Sequence, residues 1–169
     1  MDNQLLRVRL IDQMSNAQLT AKADVARANW TVAAGPQILS WAPQANDTWV
    51  YLKRNDGLPV PQGVAFNCNN ALVPACSDQA RAMQIVWSEI YVPLGNKDHA
   101  KGTTVFAHEI GHALGLFHHG NACVPLMSAG LGAAGCVNPP VAPQAIDIGG
   151  LPPCGANVQH GIRCIYKWD

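Results

Sequence analysis

Between residues 108 and 118 the chain reads His108-Glu109-Ile110-Gly111-His112-Ala113-Leu114-Gly115-Leu116-Phe117-His118, and this run constrains the fold more than any other. The pattern from Thr103 to Leu114 predicts an amphipathic helix. On such a helix His108 and His112 lie about 40° apart around the axis, so both imidazoles leave the same face. Gly115 takes positive φ without a Cβ penalty, which lets the helix end and the chain turn sharply. That turn predicts the return of His118 towards the first two histidines. Three protein nitrogens with a fourth position open describe a catalytic zinc rather than a structural one. Glu109, next to the first ligand, is placed to reach a water on the same ion and act as general base.

The 169 residues suit one compact domain with a substantial core. Apolar residues make up 49% and charged residues 13%, which excludes a disordered chain or a coiled coil. Lys plus Arg and Asp plus Glu are 11 each, so no net field recruits nucleic acid or anionic lipid. No apolar run approaches the roughly 18 residues of a membrane span. The six cysteines fall into local pairs, Cys68/Cys76, Cys123/Cys136 and Cys154/Cys164, each bracketing a stretch rich in Asn, Pro or Gly. Neighbour pairing is the simplest of several connectivities, and disulfides point to an oxidising compartment. The expectation is a secreted, monomeric protein seen without its signal peptide; six buried thiols in a cytosolic enzyme is the alternative.

Patterning predicts strands at Leu5–Ile11, Gln37–Trp41, Thr48–Lys53, Gly63–Cys68 and Met83–Val92. A helix capped by Ser15 or Asn16 runs to about Val32, with Leu19, Ala23, Ala26 and Trp30 as its buried stripe. A polar loop leads to the 103–114 helix. Beyond Gly115, glycine, proline and alanine dominate to Pro153, and a last helix is expected at Asn157–Tyr166. The order predicts an α+β domain with an N-terminal sheet and a loop-rich C-terminal part.

The 108–118 run resembles the metzincin signature H-E-x-x-H-x-x-G-x-x-H, carried here by His108, Glu109, His112, Gly115 and His118. Met127 in Val124-Pro125-Leu126-Met127-Ser128 is similar to the methionine turn of that clan. Length, the L-M-S turn and the cysteines flanking it resemble the small secreted snapalysin type, with His118 where that type has aspartate. The resemblance implies a single catalytic domain over 1–169, its N-terminal subdomain about 1–115 and its C-terminal subdomain about 116–169. It implies a mixed twisted sheet, one zinc ion on His108, His112 and His118, and a protein or peptide substrate hydrolysed with Glu109 as base. The substrate would pair antiparallel with an edge strand at Gly63–Asn67, and Ser128–Ala134 would wall a specificity pocket. Ser128 and Ala129 stand just after Met127, where some members of that clan have an assisting tyrosine. Glu89 and Glu109 are the only glutamates, which disfavours a downstream glutamate ligand; of the downstream aspartates Asp147 and Asp169, neither is placed as well as His118.

Smaller readings complete the inventory. His119 is either a hydrogen-bonding neighbour of the site or a surface residue, while His99 and His160 are read as surface residues. Glu89, near Tyr91, is read as a strand residue facing solvent, with a buried acid as the alternative. Asn46-Asp47 and Asn96-Lys97-Asp98 offer oxygens to calcium, although turn chemistry explains both. Two other classes compete with the peptidase: a catalytically silent zinc-binding recognition module, and a disulfide-stapled inhibitor or lectin-like scaffold.

Overall fold

In a computed structural model of the chain, the structure describes residues 8–34, 39–41, 48–68, 76–77, 87–118, 126–128, 136 and 139–149. The strands are β1 (Val8–Asp12), β2 (Leu39–Ser40), β3 (Thr48–Arg54), β4 (Val64–Cys68), β5 (Cys76–Ser77) and β6 (Trp87–Val92). The helices are α1 (Ala17–Ala34), α2 (Gly102–Ala113) and the short α3 (Ala145–Gly149), with a 3₁₀ turn at Leu94–Lys97. The sheet runs β2-β1-β3-β6-β4-β5. Its first four strands are mutually parallel, whereas β4 runs antiparallel to β6 and β5.

Strict alternation sends one set of side chains to each face. Val8, Leu10, Val50, Leu52, Ala65, Ile90 and Val92 are buried with the helices. Trp49, Tyr51 and Lys53 on β3 and Trp87, Glu89 and Tyr91 on β6 occupy the other face. There Glu89 is half-buried, ion-paired with Lys53 and accepting from the Tyr91 hydroxyl at 2.7 Å, so it does not face solvent freely as expected.

The expected stripe of α1 holds: Leu19, Ala23, Ala26 and Trp30 are fully buried. Asn16 caps this helix, its Oδ1 accepting from the Gln18 and Leu19 N–H groups at 3.1 and 3.0 Å. Trp30 crosses to α2 and donates its indole N–H to the Ala107 carbonyl at 2.8 Å. Helix α2 is thereby fixed against α1 as well as against the sheet.

Of the strand expected over Leu5–Ile11, Val8–Ile11 is strand and the strand continues to Asp12; of that expected over 83–92, Trp87–Val92 is strand. Of the strand expected at Gln37–Trp41, Leu39–Ser40 is strand and Trp41 lies beyond its end. Part of the polar loop winds into the 3₁₀ turn, and α3 stands in the stretch read as having no periodic structure. Residues 5–7, 37–38 and 83–86 and the 157–166 helix lie outside the described residues.

Candidate metal centre

The end of α2 is built by a hydrogen-bond pattern that needs Gly115. The Leu116 N–H reaches back to the Gly111 carbonyl at 3.0 Å and the Gly115 N–H to the His112 carbonyl at 2.8 Å, with Gly115 at φ 87°. This is the Schellman arrangement, and a Cβ at that φ would be strained. The turn brings His118 over the helix face that carries His108 and His112. The three Nε2 atoms form a triangle with 3.1 Å on each side. His108 and His112 are partly buried and His118 is exposed.

Protonation decides what such a triangle is. His108 Nδ1 lies 2.7 Å from the Leu126 carbonyl and His112 Nδ1 lies 2.8 Å from the Leu116 carbonyl. A carbonyl only accepts, so each Nδ1 bears the hydrogen and donates, leaving Nε2 as a lone pair in the neutral ring. Burial, with the neighbouring His112 adding to it, pushes the His108 imidazole down to about 3, so the ring is neutral. Where both rings are neutral, the two Nε2 lone pairs face each other at 3.1 Å. A cation between them and His118 removes that conflict. Tetrahedral zinc at about 2.0–2.1 Å from each nitrogen requires nitrogens about 3.3–3.4 Å apart, close to the observed spacing. The residues fit a three-histidine metal site. Among the described residues this is the one grouping of three or more His, Cys, Asp or Glu able to hold an ion.

Glu109 sits one residue from the first ligand but points towards β4. It is 6% exposed, and the Ala65 N–H donates to its carboxyl group. Burial pushes its pKa up to about 8, partly opposed by that N–H. A cation held by the adjacent triad would favour the ionised form instead. Gly63, Val64, Ala65, Glu109, Phe117 and the three histidines line a cleft of about 290 Å³. Along its full length β4 pairs with β6, but β5 covers only Asn67 and Cys68 on the other side. Among the described residues, Val64–Phe66 is thus an open edge, so the edge expected at Gly63–Asn67 is free over its first part only.

Below the ligand helix lies Met127, fully buried. A Cβ on Gly111 would run into the Met127 sulfur and press Trp30, so glycine at 111 lets this methionine sit under the turn that carries both helical ligands. The neighbouring Leu126 supplies the carbonyl that orients His108. Both residues are held by Asp147, which sequence reasoning weighed only as a rival ligand. Its fully buried carboxylate accepts from the Leu126 N–H at 3.2 Å, the Met127 N–H at 3.1 Å and the Gln144 N–H at 2.7 Å. The signal that could have found it is a lone acid in a stretch otherwise almost free of charge. Asn67 and Ser88, both buried polar residues at the sheet–helix contact, were also missed.

The remaining candidates are ordinary. His99 is half-buried, its Nδ1 accepting from the Lys101 N–H at 3.1 Å. Asn96 is buried, its Nδ2 donating to the Gln62 carbonyl at 2.9 Å while its Oδ1 has no hydrogen-bond partner, and Asp98 pairs with Lys97 in the turn that follows. His119, His160, Asn46-Asp47 and the wall at 129–134 lie outside the described residues, while Ser128 is buried beside Met127. No described helix is long and apolar enough to cross a membrane. No protein-family model matches the chain and no curated protein matches it.

Proposed function

We propose that the protein is a secreted, zinc-dependent endopeptidase of metzincin type. The observation that supports it most is the set of three Nε2 atoms 3.1 Å apart, two of them held as lone pairs by backbone carbonyls, with a buried carboxyl one residue along the same helix. Zinc bound there would supply Lewis acidity and lower the pKa of a coordinated water towards ~7. Glu109 takes the proton of the attacking water and returns it to the departing amine nitrogen. The Ala65 N–H fixes that carboxyl and leaves it facing the cleft.

The substrate in this reading is an extended peptide laid along β4. The N–H and C=O of one strand residue point to the same side, so the Ala65 N–H serving Glu109 leaves the Ala65 carbonyl on the open edge. Main-chain pairing there accepts many sequences, which suits an endopeptidase. The register that sets Cys68 opposite Cys76 supports a disulfide between them, since antiparallel partners are about 4.5–5.5 Å apart at Cα, within disulfide range. That supports an oxidising, extracellular setting.

The test is casein or peptide-library cleavage read by mass spectrometry, with and without a chelator, for the wild-type protein and Glu109→Gln. The expected result is chelator-sensitive cleavage that falls by about 10²–10⁴-fold in the variant, which still binds one zinc. Cleavage unchanged by the substitution would remove Glu109 from the chemistry. Zinc binding without cleavage would leave the recognition module.

A further inference from the structure

A buried polar link crosses the otherwise apolar contact between the sheet and the ligand helix. Ser88 on β6 and Asn67 on β4 are register partners, 0% and 2% exposed. The Asn67 Nδ2 donates to the main-chain carbonyl of His112 at 2.8 Å. Because a carbonyl only accepts, the amide nitrogen must face α2 and Oδ1 must face Ser88. The Ser88 hydroxyl then donates to Oδ1 at 2.6 Å, which locks the amide in that orientation.

The carbonyl at the end of this link belongs to a metal-ligating residue and holds the turn as well. It also receives the Gly115 N–H at 2.8 Å, so two donors meet on it, one from the sheet and one from the turn. Four residues on, the Leu116 carbonyl accepts a hydrogen bond from His112 Nδ1–H at 2.8 Å. From there the chain reaches His118 in two residues. Segment 112–118 thus carries two of the three imidazoles, and Asn67 grips it where the helix ends. The same strand supplies Val64 and Ala65 to the cleft. An asparagine and a serine placed among Ala65, Ile90 and Val92 cost burial of polar groups, and the recipient of that arrangement is the ligand segment.

The geometry points to Asn67, oriented by Ser88, as a positioning residue that holds His112 and the turn to His118 at a fixed place relative to β4. The inference rests on the metal-binding part of the proposed function and not on peptide hydrolysis. Loss of the link leaves all three imidazoles in the chain but loosens two of them against the third.

The experiment uses the full chain loaded with zinc or with cobalt(II), comparing wild type, Asn67→Leu and Ser88→Ala. Three quantities are read: the visible ligand-field bands of the cobalt form, the rate of zinc release to a chelator, and the melting temperature of the metal-free protein. Asn67→Leu should alter the cobalt bands and release zinc about 10–100-fold faster, the range for groups that orient metal ligands. Ser88→Ala, which removes only the hydroxyl that locks the amide, should move both readouts in the same direction by roughly threefold in rate. A purely structural role would lower the melting temperature and leave bands and release rate as in wild type. That result, in Asn67→Leu or, if it does not fold, in Ser88→Ala, overturns the inference. A wild-type protein that takes up neither metal overturns it together with the metal reading, before any variant is made. The absence of peptide cleavage enters none of the three readouts.

Discussion

The ligand helix α2 and the prop beneath it, formed by Leu126–Ser128 and α3, are made in opposite ways. In α2 the chemistry is local: His108, Glu109 and His112 take their directions from helical periodicity, and Gly115 ends the helix where the third ligand must turn back. In the prop nothing is periodic. Leu126 and Met127 hold their place because Asp147, some twenty residues on, accepts their N–H groups with a buried carboxylate. Yet the prop fixes the tautomer of His108 through the Leu126 carbonyl, so the first ligand is aimed from outside its own helix. The contrast teaches that a spacing can choose the ligands while a distant acid sets how one of them points.

Ways to break this comparison differ in size. The largest effect belongs to the ligand set: His118→Ala should weaken zinc binding by more than about 100-fold, beyond the range of outer-shell changes, while leaving the melting temperature of the metal-free protein nearly unchanged because His118 is exposed. Chelator competition and calorimetry separate the two readouts. Next comes the prop. Asp147→Ala leaves two buried N–H donors and one partly buried one without this acceptor and should cost about 2 kcal/mol or more at about 1–3 kcal/mol per orphaned buried group. Any folded fraction should also bind zinc more weakly, and an intact zinc affinity there would separate the prop from the ligand. Gly111→Ala joins the two regions, since the added methyl meets Met127 and Trp30; overpacking should cost about 1–3 kcal/mol by denaturant titration.

The smallest effect is a pH slope in the metal-free protein. Glu109 is raised from 4.5 to about 8 on folding, so its contribution is present below the unfolded value and is lost as pH rises through about 8. His108 is depressed from 6.5 to about 3, so its contribution is lost as pH falls from 6.5 towards 3. Between pH 6.5 and 8 the Glu109 loss outweighs the small remaining gain from His108. Stability should therefore fall by roughly 1 kcal/mol over that window, and the fall should be absent in Glu109→Gln. Urea unfolding at four pH values checks this.

What could be read from the residues follows the same divide. Helix α1 and its four-residue stripe, the alternation of β3 and β6, and the convergence of three histidines were legible because each depends on neighbours within one or two turns or along one strand. Strand β5 was missed because two residues carry no period, and its pairing with Asn67 and Cys68 is a tertiary fact. Helix α3 was missed in a stretch of Gly, Pro and Ala where five residues give no stripe. Asp147 was seen only as an acid near a metal motif, since a carboxylate that binds backbone N–H groups leaves no mark in its partners' side chains. Asn67 and Ser88 read as polar interruptions in strands; their roles appear only when α2 is laid across β4.

X-ray absorption on zinc-loaded protein decides whether His108, His112 and His118 share one divalent ion. The expected result is one zinc per chain, with three imidazole nitrogens at about 2.0–2.1 Å and one lighter oxygen ligand. Sulfur in the first coordination shell, fewer than three imidazoles, or no stoichiometric zinc would contradict it.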